Sequence, residues 1–261
     1  MPTYKLLLEY EGTRYSGWQA QTNTPKTVQG RLLSAARDLF GEVDLSGAGR
    51  TDAGVHAAGQ VAHLRLQKRA APAEIVRMLN EALPHDINIL GATPANDRFH
   101  ARHDAISRVY LYQISRRRTA FAKPFVWWIR DSLDVARMAD AAALIPGRHD
   151  FASFTDRRNK AESTLVIVES AAIAEWGDLI LVRIAASHFL WKMVRKLVHA
   201  LTDAGRGTLT KGELAAHFEP EAAKFGPTAP PSGLFLEAVL YPGDAFDRPL
   251  EPIVEVHRRK P

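Results

Sequence analysis

Stretches with an apolar side chain at every second position are interleaved with stretches whose apolar residues recur every three or four positions, and the two kinds do not alternate strictly. The first kind falls at residues 4–10, 61–66, 87–90, 109–114, 179–184 and 234–241, rich in Leu, Val, Ile and Tyr, and predicts strands. The second kind predicts helices. Val28, Leu32, Ala35, Ala36 and Leu39 form one stripe after Thr27, and Ile75, Leu79 and Ala82 form another after Pro72, a residue suited to a first helical position. A third stripe runs through Val135, Met138 and Ala142 and stops before Pro146 and Gly147. The strongest spans residues 188–204, with Phe189, Met193, Leu197 and Leu201 on one side and Gly205 as the expected C-terminal cap. Strands that do not each lead into a crossover helix favour antiparallel or mixed sheet with helices against a face, an α+β class. A chain of 261 residues suits two domains, and the polar stretch 96–104 divides it into an N-terminal domain of residues 1–105 and a C-terminal domain of residues 106–261.

Composition narrows the chemistry. The chain has no cysteine, which excludes disulfides, thiolate nucleophiles and cysteine zinc sites and points to a reducing compartment, the cytoplasm. Lys and Arg number 34 against 29 Asp and Glu, a formal charge of +5 with a pI near 9.5, which suits a polyanionic partner without requiring one. The N-terminus lacks the basic region, apolar core and cleavage site of a signal peptide. No stretch approaches the roughly 20 apolar residues that span a bilayer, so a soluble chain with no membrane partner is expected.

The most distinctive string is Gly47-Ala48-Gly49-Arg50-Thr51-Asp52-Ala53-Gly54-Val55-His56. Its glycines allow sharp turns and close approach to a ligand, so the loop either presents Arg50 and Asp52 to a substrate or forms a surface turn with a local ion pair. It is neither the Gly-x-Gly-x-x-Gly of dinucleotide folds nor a P-loop, which argues against a nucleotide cofactor. An aspartate, with an ordinary pKa of about 3.9, is ionised at neutral pH and can act as a nucleophile without an activating base. Arg50 or Arg195 can keep it charged, or Arg195 is simply a solvated helix residue. Tyr110 and Tyr112, two apart on a strand, share a face and serve either base stacking or core packing. Arg98, Arg102, Arg108 and the run Arg116-Arg117-Arg118, interleaved with aromatic rings, fit looped RNA or a solvated surface, as do Arg14 and the set Arg157, Arg158 and Lys160. His100 and His103 lack a third ligand at convincing spacing, so no metal is expected.

Together these strings resemble the tRNA pseudouridine synthase A family across nearly the whole chain. The matching motifs are residues 10–19 (Tyr-Glu-Gly-Thr-Arg-Tyr-Ser-Gly-Trp-Gln), 27–30 (Thr-Val-Gln-Gly), the loop at 47–56 continuing through Gly59-Gln60-Val61, then Phe99-His100-Ala101-Arg102, Arg108-Val109-Tyr110-Leu111-Tyr112, residues 149–154, 189–195 and 233–236, all in the family's order. The resemblance implies a cofactor-free enzyme that isomerises uridine to pseudouridine at positions 38, 39 and 40 of the tRNA anticodon stem-loop. It implies two α+β domains around a central mixed or antiparallel sheet with a basic cleft, and a homodimer. By the same resemblance Asp52 is the catalytic aspartate, Arg50 displaces the target base, Tyr110 stacks on or acts at the uracil, and Arg195 pairs with Asp52. Arg14 and Arg102 are then expected RNA contacts. A catalytically silent RNA-binding protein of the same fold is the alternative. Two departures stand out: His199 replaces a small residue after the Arg195 motif, and residues 161–168 lack an arginine common in the family.

Overall fold

The computed structural model describes residues 1–156, 163–219 and 221–256, so Arg157, Arg158, Lys160 and the basic tail from 257 lie outside the described residues. The chain divides into two compact units, residues 1–106 with 235–245 and residues 107–234 with 246–261.

In the first unit β1 (Thr3–Tyr10) leads to α1 (Val28–Phe40), β2 (Asp44–Gly47), β3 (His56–Arg65), α2 (Pro72–Ala82) and β4 (Ile87–Ala95). Period-2 patterning works as expected in β1: Leu6 and Leu8 are fully buried while Leu7 is exposed. Its partners are β3 and β4, both antiparallel, with Leu6 opposite Ala62 and Ala92, and β2 pairs antiparallel with β3. The Thr27 hydroxyl caps α1 by accepting from the Gly30 amide, and Pro72 opens α2. Each helix buries most of the apolar stripe read from the sequence, Val28, Leu32, Ala35 and Ala36 in α1 and Ile75 and Leu79 in α2, while Leu39 is half-buried and Ala82, in the last turn of α2, is exposed.

The second unit contains β5 (Ser107–Ser115), β6 (Trp127–Trp128), α3 (Val135–Ala142), β7 (Gly147–Asp150), β8 (Leu165–Trp176), β9 (Leu179–Ala186), α4 (Met193–Arg206) and α5 (Lys211–Ala216). Here β9 lies between β5 and β8, with β7 beyond β8, all antiparallel, and β6 joins β5 in parallel. The strand β8 carries no clean alternation, because Glu169, Ser170 and three alanines interrupt it and its outward Leu165 and Ile167 are exposed. Pairing with β9 makes it a strand. Helix α4 starts later and ends later than its stripe suggests, since Phe189 precedes it and the left-handed cap is Gly207, φ 76°. Gly205 sits inside the helix, where a Cβ would lie 2.8 Å from Met138 Cγ, so glycine lets α3 and α4 close together.

The last strand, β10 (Leu234–Leu240), runs parallel to β3 with Phe235 opposite His56. Each unit is thus α+β, and each holds both parallel and antiparallel pairing. No helix among the described residues is long and apolar enough to cross a membrane.

His63 on β3 is buried, and its Nδ1 accepts from the Ala101 amide at 3.1 Å. Burial, helped by the nearby Arg65 guanidinium, pushes its pKa down from 6.5 to about 4. As pH falls, the unfolded chain therefore takes up this proton first. The stability that neutral His63 contributes is complete above about pH 6.5 and is lost progressively towards pH 4. Urea unfolding at several pH values is expected to show that decline, with His63→Gln shallower by about one proton over the same window. An identical slope in the variant would rule His63 out as its source.

A braced aspartate loop as the candidate active site

The loop between β2 and β3 carries Arg50 and Asp52, and it is fixed at both ends. The Ala48 amide donates to the Val61 carbonyl at 2.7 Å, and the fully buried Gln60 donates from Nε2 to the Gly49 carbonyl at 2.9 Å. Thr51 is drawn inward, its hydroxyl 2.8 Å from that of buried Tyr10, whose own pKa burial pushes far up. With Thr51 turned in, Arg50 is exposed and Asp52 half-buried, so one side chain reaches out while the other stays partly shielded.

A second loop, residues 11–18, locks the first. The Gly12 amide donates to His56 Nδ1 at 3.0 Å, and the Trp18 amide donates to the Thr51 carbonyl at 3.1 Å. A Cβ on Gly12 would lie 2.0 Å from the Val55 carbonyl oxygen, and one on Gly17, at φ 94°, would lie 2.6 Å from that of Thr51. Backbone meets backbone here, so only glycine fits. The Trp18 ring fills the space beside Gly47, where a Cβ would be 2.4 Å from it. The two motifs that are most distinctive in the sequence are therefore the two halves of one interlock. Asp86 anchors its far side, accepting from Tyr15 Oη at 2.5 Å and from Arg14 Nη2 at 2.5 Å and Nε at 3.1 Å. The Arg14 side chain is nevertheless 74% exposed. His56 stacks on Phe235 with ring centres 4.8 Å apart; its part in holding Gly12 had no signal in the sequence beyond its place in the motif.

In the second unit, Tyr110 and Tyr112 both lie on β5 and both are buried, yet they differ. Tyr112 is sealed, its hydroxyl donating to the Pro230 carbonyl at 2.8 Å, and burial raises its pKa well above the usual range. Tyr110 packs edge-on against half-buried Phe189, centres 5.0 Å apart. Arg195 lies in the first turn of α4 and donates from Nε to the Ala229 carbonyl at 2.7 Å. His199, one turn on, lies 3.2 Å from Asp203 and packs its ring against Trp127, which accounts for the imidazole at that position.

The basic residues that cluster in the sequence fall in both units. Arg98 and Arg102 are exposed in the first unit, while Arg108 and Arg116 stand at opposite ends of β5, eight residues or roughly 26 Å apart at about 3.3 Å per residue. Arg116 pairs with Glu175 at 2.8 Å, Arg117 with Asp178 at 3.0 Å, and Arg118 lies over the Trp128 ring. His100 and His103 pack with ring centres 4.2 Å apart and their planes tilted by 49°, but no group of three or more metal-ligating side chains among the described residues is placed to hold an ion.

A loop of braced glycines that holds one carboxylate beside one exposed arginine, carried on an α+β frame, has the makings of an enzyme site. A family model described as tRNA pseudouridine synthase matches residues 7–104 and 141–242. The chain belongs to that family. Similar proteins named "tRNA pseudouridine synthase A" include those of Allorhizobium ampelinum, 41% identical over 95% of this chain and 98% of that protein, and Afipia carboxidovorans, 42% identical over 92% and 100%. A relative of the same name from a Bacillus species is 34% identical over 92% of this chain and all of its own length. A solved Cbf5-Nop10-Gar1 complex matches 67% of this chain and 40% of its own at 12% identity and a TM-score of 0.33, too distant to carry an argument.

Adding one methyl group at Gly12 tests the interlock. Gly12→Ala is expected to lower stability by about 1–3 kcal/mol, as overpacking does, and to cut the rate on tRNA more than tenfold by shifting Val55 and the loop with it. Thermal melts and initial rates measure both; wild-type values would show that the loops do not need this contact.

Proposed function

We propose that this chain converts uridine to pseudouridine at positions 38, 39 and 40 of the tRNA anticodon stem-loop, acting as a cytoplasmic homodimer, with Asp52 as its catalytic carboxylate. The family supports uridine isomerisation in tRNA. The observation that carries the residue assignment is the bracing of residues 47–56, which holds Asp52 half-buried beside exposed Arg50 through backbone contacts that only glycine permits.

Isomerisation must break the bond from uracil N1 to C1' of the ribose, turn the base, and join C5 to C1'. A loop that cannot drift is suited to this, because the detached base has to meet the same carbon again. In one route the Asp52 carboxylate adds to C1' as uracil leaves with the bonding pair on N1; C5 then attacks C1' and releases the carboxylate. In the other, Asp52 removes the 2' proton as uracil leaves with the bonding pair on N1 to give a glycal, and C5 then joins C1' as the proton returns to C2'. Either way the C5 proton must pass to a base and N1 must regain a proton. Tyr110, buried at the start of β5, stacks on the uracil or accepts the C5 proton. Arg195, in the first turn of α4, is the further charged residue we assign to catalysis. The target lies in a stacked stem, so it must be extruded at a cost of a few kcal/mol, and Arg50 fills the gap. Arg102 and Arg14 meet the RNA backbone, Arg14 with the part of its guanidinium that Asp86 leaves open.

Asp52→Asn keeps the shape of the side chain and removes its charge. It is expected to bind tRNA within about twofold of the wild type and to release no tritium from tRNA labelled at uridine C5; release at a normal rate would remove Asp52 from the chemistry. A slowed reaction with uridine deuterated at C2' would select the glycal route, and an unchanged rate the nucleophilic one. Affinity for tRNA is expected to fall with salt, with a log-log slope of about 0.7–0.9 for each phosphate neutralised. A flat profile would contradict recognition through exposed arginines.

A further inference from the structure

Helix α4 is entered through a backbone conformation that side chains rarely adopt. Lys192, its N-terminal cap, has φ 63° and ψ 3° in the left-handed region, where a Cβ is strained. Such strain persists only where the surroundings enforce it, and it gathers at functional sites.

Asp156 lies beside this turn. Its Oδ2 lies 2.8 Å from Lys192 Nζ, and its Oδ1 lies 3.0 Å from the ammonium of Lys196, one turn further on. Lys196 is almost completely buried, and its ammonium is held by the Asp156 carboxylate together with the carbonyl of Phe225. The two lysines in turn hold the Asp156 carboxyl below the usual carboxylate range through their hydrogen bonds. The neighbouring Thr155 hydroxyl donates to the Trp191 carbonyl at 3.0 Å, and the Lys192 ammonium lies 4.6 Å from the Trp191 ring centre. Between Lys192 and Lys196 stands Arg195, tied to Ala229 from both its side chain and its carbonyl at 2.7 and 3.1 Å.

We propose that Asp156 is a positioning residue for Arg195: by holding Lys192 in its left-handed conformation and Lys196 in its buried site, it sets the turn of α4 from which the Arg195 guanidinium projects. This rests on the reading of Arg195 as a catalytic residue. Asp156 touches no reacting atom. Its effect belongs in the rate of the chemical step, with tRNA affinity unchanged.

Four variants decide the matter when single-turnover rate, tRNA affinity and melting temperature are measured on the full chain. Lys192→Gly removes the strain and the tether together. It is expected to melt no lower than the wild type, since glycine adopts this conformation freely, and yet to slow the chemical step at least tenfold with affinity within twofold. Lys192→Arg, which keeps the charge, should stay within about threefold of the wild-type rate, and Asp156→Asn should follow Lys192→Gly in rate and affinity while melting lower, since it also leaves the buried Lys196 ammonium without its carboxylate. A full rate in Lys192→Gly overturns the proposal, as does a loss confined to affinity, which would make Lys192 an RNA contact, or a loss in that variant that follows a lowered melting temperature. Arg195→Ala is the control. If it is fully active, the reading of Arg195 fails; if it is inactive while Lys192→Gly and Asp156→Asn run at full rate, the positioning role alone fails.

Discussion

The contact on which the first unit depends is that of two backbones pressed together without side chains between them. Gly12 meets the Val55 carbonyl and Gly17 meets that of Thr51 at distances no Cβ can occupy. An interaction of this kind has almost no tolerance, because it is made by atoms that every residue carries and that no rotamer change can move aside. It explains why a chain with ordinary composition contains two strings of such unusual exactness, residues 10–19 and 47–56, separate in the sequence and adjacent in the fold. The carboxylate of Asp52 inherits its position from that contact, from the inward hydrogen bond of Thr51 and from Gln60 below.

Charge in this protein is arranged by pairing more than by accumulation. Several of the arginines that suggested a nucleic-acid surface are engaged by carboxylates, Arg14 by Asp86, Arg116 by Glu175 and Arg117 by Asp178. Surface pairs of this sort contribute little stability each, typically up to about 1 kcal/mol. Their value lies in geometry. Asp86 draws Arg14 and Tyr15 to the same carboxylate and so secures the outer side of the glycine interlock, and Asp156 does the comparable work at the entry to α4. Both carboxylates lie outside the family strings read from the sequence, which stop at the residues they support.

Much of the frame was legible because it follows from local rules. Thr27 and Pro72 mark helix starts by hydrogen-bonding and by a preset φ, and the stripes behind them are buried except towards their ends, at Leu39 and Ala82. Alternation in β1 gave its inner face correctly. Where local rules were weak the reading was incomplete. The strand β8 is polar and alanine-rich and is made a strand by its partners, β2 and β7 are four residues each, and the end of α4 was placed at Gly205 when that glycine serves helix packing and Gly207 provides the cap.

The sequence by itself determined the class of fold, the family and the identity of the candidate chemical groups, because these depend on residue types and short spacings that every chain of this kind must satisfy. Tertiary structure alone decided which of those groups share a neighbourhood. Tyr110 and Tyr112 look equivalent in the sequence, yet the second is sealed by a hydrogen bond to Pro230, 118 residues away. Arg108 and Arg116 look like one patch, yet an extended strand separates them. The strand β10 follows the second unit in the chain and pairs with β3 of the first. Proximity across such separations is set by the cooperative packing of the whole chain, in which each contact is stabilised by many others. Periodicity within a dozen residues carries no record of it.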